Sequence, residues 1–399
     1  MIKTHKIALR PNRDQIAWFY QQCGYAKFAY NSALSDFKAE LSADNFLSMY
    51  DLNKRFNEKK KEYDWTQAQD QRAAMYAVHH LGSAIDNWKA KRTKFPRLKK
   101  RGCKHTYTTD EQAVRIEGKR IKLPKIGWVK TFQELRFAGK IVSVTISRTA
   151  HRWFASVSVE VEEPIRRCPA PTEFVNGYVS HTDIGTPDKI ERSIYPTIGI
   201  DVGISTLATL DDGTKYENPQ PLKRYERKLA REQRKLSRKV FLSANWYKQK
   251  RIVERLHYRI ACIRRDAHHQ ATTDILKCVS KIGIETLQVT NLLKNRKLAK
   301  ALSDAALGGF FEKLKAKAKA LSIPIVQADR FFASSRNCST CGHKKDDLTL
   351  SDRQYQCRNC GASIDRDVNA AINLRRKASD RDHRDGTLPL TLAAGHAES

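Results

Sequence analysis

The stretch Ile198-Gly-Ile-Asp-Val-Gly-Ile204 decides how the chain is read. Side chains alternate across a β-strand, so Ile198, Ile200, Val202 and Ile204 share one face while Gly199, Asp201 and Gly203 share the other. The apolar face is that of a core strand. A carboxylate flanked by glycines on the opposite face fits a place where a backbone or a phosphate approaches closely. The pattern recurs in Ile282-Gly-Ile-Glu285, with Ile282 and Ile284 on one face and Gly283 and Glu285 on the other. A third acid, Asp367, stands in Ile364-Asp-Arg-Asp-Val-Asn-Ala-Ala-Ile-Asn-Leu374, at the expected start of a helix. Each acid alone has a plain explanation: a strand end, an ion pair, a helix N-cap. Together, in a chain of formal net charge +31, they predict a carboxylate cluster. Carboxylate oxygens suit Mg²⁺ or Mn²⁺. Two such ions about 4 Å apart can activate a water and stabilise the leaving oxygen in phosphodiester hydrolysis.

Between the second and third acids lie Cys338-x-x-Cys341 and Cys357-x-x-Cys360, separated by fifteen residues and each followed by glycine. That spacing predicts a four-cysteine zinc ribbon. Four protein ligands leave no open position, so the expected Zn²⁺ is structural. His343 adjoins the cluster and is expected to face solvent. The remaining cysteines, at 23, 103, 168, 262 and 278, are scattered and read as reduced thiols.

The 399 residues include 74 Lys+Arg against 43 Asp+Glu, and 40% are hydrophobic. That apolar content excludes a disordered basic tail, and the charge calls for a polyanionic partner, nucleic acid first. No apolar run approaches the roughly 20 residues that span a bilayer, and the opening Met1-Ile-Lys-Thr-His-Lys6 does not read as a signal peptide. A cytoplasmic protein with no membrane partner is expected. No G-x-x-x-x-G-K-[ST] loop is present, which argues against a nucleotide-driven motor.

The first ten residues read as a strand. Pro11 and Asn12 open a helix whose Ile16, Phe19, Cys23, Tyr30, Leu34 and Phe37 fall on one face, and a second helix is expected over 68–91 through Ala73, Ala77, His80, Ala84 and Trp88. From about 112 to 162 the period is two, with Val142, Val144 and Ile146, then Trp153, Ala155, Val157, Val159 and Val161, alternating with polar residues. A small antiparallel barrel or sandwich is predicted, which the first strand could join. Residues 163–196 are proline-rich and read as a linker. Between Pro221 and Gly283 there is neither Gly nor Pro, and two apolar stripes (Leu222, Tyr225, Leu229, Leu236, Val240; Val253, Leu256, Ile260, Ile263, Ala267) predict a helical hairpin breaking at Ser243-Ala-Asn245. Lys223, Arg224, Arg227, Arg231, Arg234 and Arg238 line its first helix. Arg97, Lys99, Lys100 and Arg101 form a second basic patch, with Phe95 offered for base stacking.

The three acid motifs, the paired CxxC knuckles and the Asp-Arg-Asp-Val-Asn-Ala-Ala-Ile-Asn-Leu run together resemble the TnpB family of transposon-encoded nucleases, compact relatives of type V CRISPR effectors. Phe95-Pro-Arg-Leu-Lys-Lys100, Leu123-Pro-Lys-Ile-Gly-Trp128 and Leu302-Ser-Asp-Ala305 extend the resemblance over nearly the whole chain. It implies a multidomain α+β protein: a RuvC/RNase H-like α/β nuclease domain with an inserted zinc ribbon, and a small antiparallel β-barrel carrying an inserted helical domain. The boundaries expected are 1–10 with 96–165 for the wedge-like barrel, 11–95 for the helical recognition domain and 166–196 for the linker. The nuclease domain would take 197–330 with 361–378, the ribbon 331–360, and a disordered tail 379–399. By motif, Asp201, Glu285 and Asp367 carry over as catalytic, Mg²⁺-binding acids, Asp367 being preferred to Asp365 because the family acid is followed by x-Asn. The implied partners are a guide RNA from the transposon end and double-stranded target DNA; the oligomeric state is left open, with a monomer favoured. Thr286 departs from the usual Asp after the catalytic Glu, and the stretch 174–195 is long for the family. A non-cleaving regulator of transposition and a DNA-joining transposase are the alternatives.

Overall fold

The computed structural model describes residues 2–43, 45–100, 104–110, 112, 114–162, 196–277, 279–329, 332–349 and 352–384. The chain divides into two compact units, Met1–Pro164 and Ile165–Ser399. The expected linker, Arg101, Cys103, Cys168, Cys278 and the end of the chain beyond 384 lie outside the described residues. No helix among the described residues is long and apolar enough to cross a membrane.

The first unit opens with β1 (Ile2–Arg10), followed by helices α1 (Arg13–Leu41), α2 (Met49–Lys59) and α3 (Gln71–Lys89). Asn12 starts α1 with a reciprocal cap: its side chain accepts the Gln15 N–H at 2.8 Å, and Gln15 Oε1 accepts the Asn12 N–H at 3.1 Å. The buried face of α3 is carried by Ala74, Ala77, Val78, Leu81 and Ile85, whereas His80 is exposed. Of the expected stripe, Ala73 and Ala77 are buried and Trp88 packs against the core, while His80 is exposed and Ala84 half-buried, because the bulkier Leu81 and Ile85 take the core side there.

Strands β2 (Thr106–Asp110), β3 (Arg115–Glu117), β4 (Arg120–Leu123), β5 (Gly127–Thr131), β6 (Lys140–Thr149) and β7 (Arg152–Glu160) complete one antiparallel sheet in the order β2-β6-β7-β1-β5-β4-β3. Strand β1 pairs with β7 along Ile2–Ala8 and with β5 at Leu9 and Arg10. The sheet ends on β2 and β3, so hydrogen bonding leaves the expected barrel open among the described residues. Strand β2 precedes the expected start of the sheet. Its interior residues are Tyr107, Thr108 and Thr109, all buried, and Thr is β-branched but escapes a count of apolar residues. Val142 sits where the β6–β7 register shifts, a bulge that interrupts the alternation there.

The second unit is built on a five-stranded sheet ordered β10-β9-β8-β11-β12. Its strands are β8 (Thr197–Asp201), β9 (Thr206–Leu210), β10 (Lys215–Glu217), β11 (Lys281–Ile284) and β12 (Ile325–Gln327). Strands β8, β11 and β12 run parallel, and β9 and β10 add antiparallel. Between β10 and β11 rise α4 (Pro221–Ser237) and α5 (Ala244–Ile275); between β11 and β12 lie α6 (Val289–Leu292), α7 (Ala299–Ala305) and α8 (Leu307–Ala320). Ile200, Ile282 and Ile284 pack with Ala271 and Ile275 of α5 and Phe310 and Leu314 of α8 in one core. Helix α9 (Arg366–Arg384) covers the opposite face and runs past residue 378, where a tail was expected to begin.

Strands β13 (Gln354–Gln356) and β14 (Ser363–Asp365) form a two-stranded sheet beside the cysteine knuckles. The hairpin therefore ends at Asp365, beyond the boundary drawn at 360. Helices α4 and α5 hold a small core of their own, Leu229, Val253, Leu256 and Ile260, and Ser243 caps α5 by accepting the Trp246 N–H at 3.1 Å. Val240 does not continue the α4 stripe: the helix has ended, and the side chain is 78% exposed.

Candidate active site

Asp201 is the last residue of β8 and Glu285 the first after β11. The parallel register pairs Ile200 with Ile284, so the two acids stand side by side one residue further on. They lie at the carboxyl ends of parallel strands, where open α/β sheets bind ligands. The glycines that share their face explain how the third acid arrives. A Cβ on Gly199 would sit 1.8 Å from the Ala371 carbonyl oxygen, and one on Gly283 would sit 2.2 Å from that of Leu374. The close approach is therefore that of the α9 backbone. Asp211 ties the same contact, accepting the Gly199 N–H at 2.9 Å and an Arg375 Nη1–H at 2.8 Å.

Asp365 caps α9 by accepting the N–H groups of Asp367 at 3.0 Å and Val368 at 3.2 Å, and its second oxygen takes Lys215 Nζ at 2.7 Å. Burial works against its charge, but Lys215 and the two N–H groups hold the carboxyl below its ordinary value. Asp365 is thus used up as a cap, and Asp367 in the first turn is left to approach the strand acids. Burial first, then the charges of Glu285 and Asp367, push the Asp201 carboxyl well above its ordinary value, against the opposing charge of Arg366. Burial also raises Glu285, opposed by a hydrogen bond that the Ser334 hydroxyl donates to Glu285 Oε1. Arg366 donates from Nε at 3.2 Å and Nη2 at 3.1 Å to Asp367 Oδ1. The three acids are neighbours, yet Glu285 is engaged by Ser334 and Asp367 by Arg366.

The cysteines are arranged differently. Sγ atoms of Cys338, Cys341, Cys357 and Cys360 all lie within 4.8 Å of one another, with Cys338–Cys360 at 3.7 Å and Cys341–Cys357 at 3.6 Å. Among the described residues this is the one group of three or more such ligand atoms drawn together that tightly. The Asn359 amide and the His343 N–H bring the Cys341 thiol down to about 6, favouring a thiolate. The donor set is compatible with zinc. His343 is exposed and outside the group; its carbonyl accepts the Cys338 N–H at 2.9 Å.

Two buried asparagines on α9 fasten the knuckle to the acid site. Asn369 accepts the Ser339 N–H at 2.8 Å and donates to the Asn337 carbonyl at 2.8 Å; Asn373 donates to the carbonyls of Ser334 at 2.8 Å and Asn337 at 2.7 Å. Sequence reasoning used Asn369 only as a motif marker and missed Asn373, although paired Asn four residues apart in the apolar run Val368–Leu374 is the available signal, since Asn disfavours helix interiors. Ser334 and Arg366 were missed as well. No local pattern marks Ser334, and Arg366 passes for one more cation in a basic chain.

Of the expected nucleic-acid contacts, Arg224, Arg227, Arg231, Arg234 and Arg238 are exposed along α4, with Arg231 3.2 Å from the buried Glu232 carboxylate. Asp304 anchors the start of α4, accepting the N–H groups of Leu222 at 2.9 Å and Lys223 at 3.0 Å, and it pairs with Arg264 at 3.0 Å. Arg97 and Lys100 are exposed, and Lys99 lies 3.9 Å over the Tyr30 ring. Phe95 is not offered for stacking. Its ring packs edge-on to Trp88 at 4.9 Å and beside Phe37 at 6.4 Å, because it belongs to the rim of the first unit's core.

Comparison with known proteins bears on this arrangement. Residues 156–296 match a family described as "Probable transposase" (OrfB_IS605), and residues 308–374 match "Cas12f1-like, TNB domain". The chain shares its fold with the Cas12f1 protein in the "Cryo-EM structure of the Cas12f1-sgRNA-target DNA complex", at a TM-score of 0.55 and 12% identity, covering 94% of this chain and 98% of that one. Two family models thus cover most of the second unit, and the fold is one that Cas12f1 shares. The Escherichia coli (strain K12) protein named "Putative RNA-guided DNA endonuclease InsQ" is 30% identical over 99% of this chain and 93% of its own length. A Streptomyces pristinaespiralis protein named "Putative RNA-guided DNA endonuclease" is 34% identical over 93% of this chain and 88% of its own. The chain belongs to the TnpB family.

Proposed function

We propose that the chain is an RNA-guided DNA endonuclease encoded by a transposable element, with Asp201, Glu285 and Asp367 as its catalytic acids. The observation that carries this reading is the meeting of three acids, from two strand ends and a helix start, where burial and then the charges of Glu285 and Asp367 raise the Asp201 carboxyl well above its ordinary value. A site made only of carboxylate oxygens suits Mg²⁺ or Mn²⁺. Divalent ions bound there would activate the attacking water and stabilise the leaving oxygen in phosphodiester hydrolysis. The chain's own part is positional. Strands β8 and β11 fix two acids in register, and α9 delivers the third. Ser334 and Arg366 each hold one oxygen of an acid, Glu285 Oε1 and Asp367 Oδ1, and so orient the second oxygen of each carboxylate.

In this reading the second unit is a RuvC-like nuclease domain, with the cysteine knuckles as a structural zinc ribbon and the first unit as the wedge-like sheet with its recognition helices. Guide RNA selects the DNA by base pairing, and a short flanking duplex motif is read by protein. The exposed arginines of α4 supply sequence-independent affinity for phosphates. The test is cleavage of a target plasmid by the chain with its co-purified RNA and Mg²⁺, comparing wild type with Asp201→Ala. Loss of cutting is expected, and equal cutting by both proteins would refute the site.

A further inference from the structure

We infer that the tip of the α4–α5 hairpin is a stacking site for unpaired nucleotides of RNA. Between the end of α4 and the start of α5 the chain turns through Arg238-Lys-Val-Phe-Leu-Ser243. Val240, Phe241 and Leu242 are 78%, 70% and 55% exposed. Leu242 adopts a left-handed φ of 63°, a conformation that costs a side-chain-bearing residue energy. Phe241 stands edge-on to Trp246 at 5.0 Å, Trp246 edge-on to Tyr247 at 5.1 Å, and Lys250 Nζ lies 4.9 Å over the Trp246 ring. Phe241 and Tyr247 are thus exposed rings, each held at near right angles to the half-buried Trp246, which braces them at the surface.

The charge around them selects that partner. From Gln233 to Val253 the chain contains Arg234, Lys235, Arg238, Lys239, Lys248, Lys250 and Arg251 and no acid. The acids at either end are engaged: Glu232 is buried under Gln249, Arg231 and Lys235, and Glu254 lies 3.9 Å from Lys250. Aromatic faces set in a ring of cations match the two halves of an unpaired nucleotide, a base to stack and a phosphate to neutralise. A paired duplex presents the phosphates alone. The inference rests on the chain being an RNA binder and adds where the unpaired segment sits.

The test uses the full chain stripped of RNA by high salt. Its probes are a fluorescein-labelled oligouridylate, a blunt RNA duplex of equal phosphate number, and vesicles of phosphatidylcholine with phosphatidylserine. Phe241→Ala and Trp246→Ala are each expected to weaken oligouridylate binding by about 5- to 100-fold, the worth of one stacked base. The duplex affinity and the salt slope should stay in place. Trp246→Phe should restore most of the loss, and circular dichroism should show the helices intact; Phe241 is exposed enough that its truncation leaves the fold alone. An equal loss on both RNAs, no loss on either, or Phe241-dependent binding to the vesicles with unchanged oligouridylate affinity would each overturn the inference. If wild type binds both RNAs and the variants do not differ from it, only the tip assignment falls. If wild type binds neither, the RNA-guided reading falls with it.

Discussion

The cysteine cluster and the acid cluster are both assembled by folding, and they are assembled in opposite ways. Four thiols come from two tight turns, one closed by the Asn337–Lys344 bridge and one between β13 and β14, and their sulfurs already lie within one ion's reach. Three carboxylates come from residues 201, 285 and 367, and a serine and an arginine occupy two of them. A preformed closed set serves a structural ion. The acids are not drawn together that tightly, and two of them are each oriented through one oxygen by a neighbouring side chain. The asparagines of α9 couple the two, so neither site is independent of the other.

The largest effect expected from breaking this comparison is on the acid side. Asp201→Asn should lower plasmid cleavage by at least about 10³-fold while raising the melting temperature of the metal-free protein, because it relieves crowded charge. Assay and thermal scan on the same preparation check both halves. Next, Cys338→Ser with Cys357→Ser should abolish zinc uptake, measured by atomic absorption, and expose amides of the knuckles and β13–β14 to hydrogen exchange. Cutting with excess Mg²⁺ should fall by about tenfold or more, since second-sphere support of a metal site is worth that much.

A smaller effect follows from the tether. Asn369→Ala leaves the buried Ser339 N–H without its acceptor and should cost about 1–3 kcal/mol in denaturant unfolding. It should also reduce cutting without altering zinc content. The smallest is a pH effect on the difference between two proteins. Folding raises the Asp201 carboxyl above its ordinary 3.8, so the folded state binds more protons than the unfolded across that window. Stability of the metal-free protein therefore declines as pH rises from near that value through the raised one. Thermal scans at stepped pH should show the Asp201→Asn protein lacking this part of the decline. Because a divalent ion must displace the same proton, Mn²⁺ affinity of wild type should strengthen over the same rise in pH.

What was legible in the sequence was whatever a strand's own alternation writes down. Ile198–Ile204 and Ile282–Glu285 gave their faces, and the glycines announced a close approach before its author, α9, was known. The two cysteine knuckles were legible for the same reason: the ligands are local. Phe95 was misread because an aromatic beside lysines looks alike whether its ring faces solvent or Trp88. Val240 was misread because a helical period says nothing of where the helix stops. The roles of Ser334, Arg366 and Asp304 depend on partners 30 or more positions away, apart from Asp367 next to Arg366, and no local pattern encodes them.

One junction has mechanical weight. Strand β14 ends at Asp365 and α9 begins at Arg366, with Asp365 serving as the strand's last rung and the helix's cap at once. There is no slack between them. A displacement of the β13–β14 hairpin is therefore carried into the first helical turn, and Asp367 rides on that turn. The hairpin is thereby a lever whose short arm ends in a carboxylate.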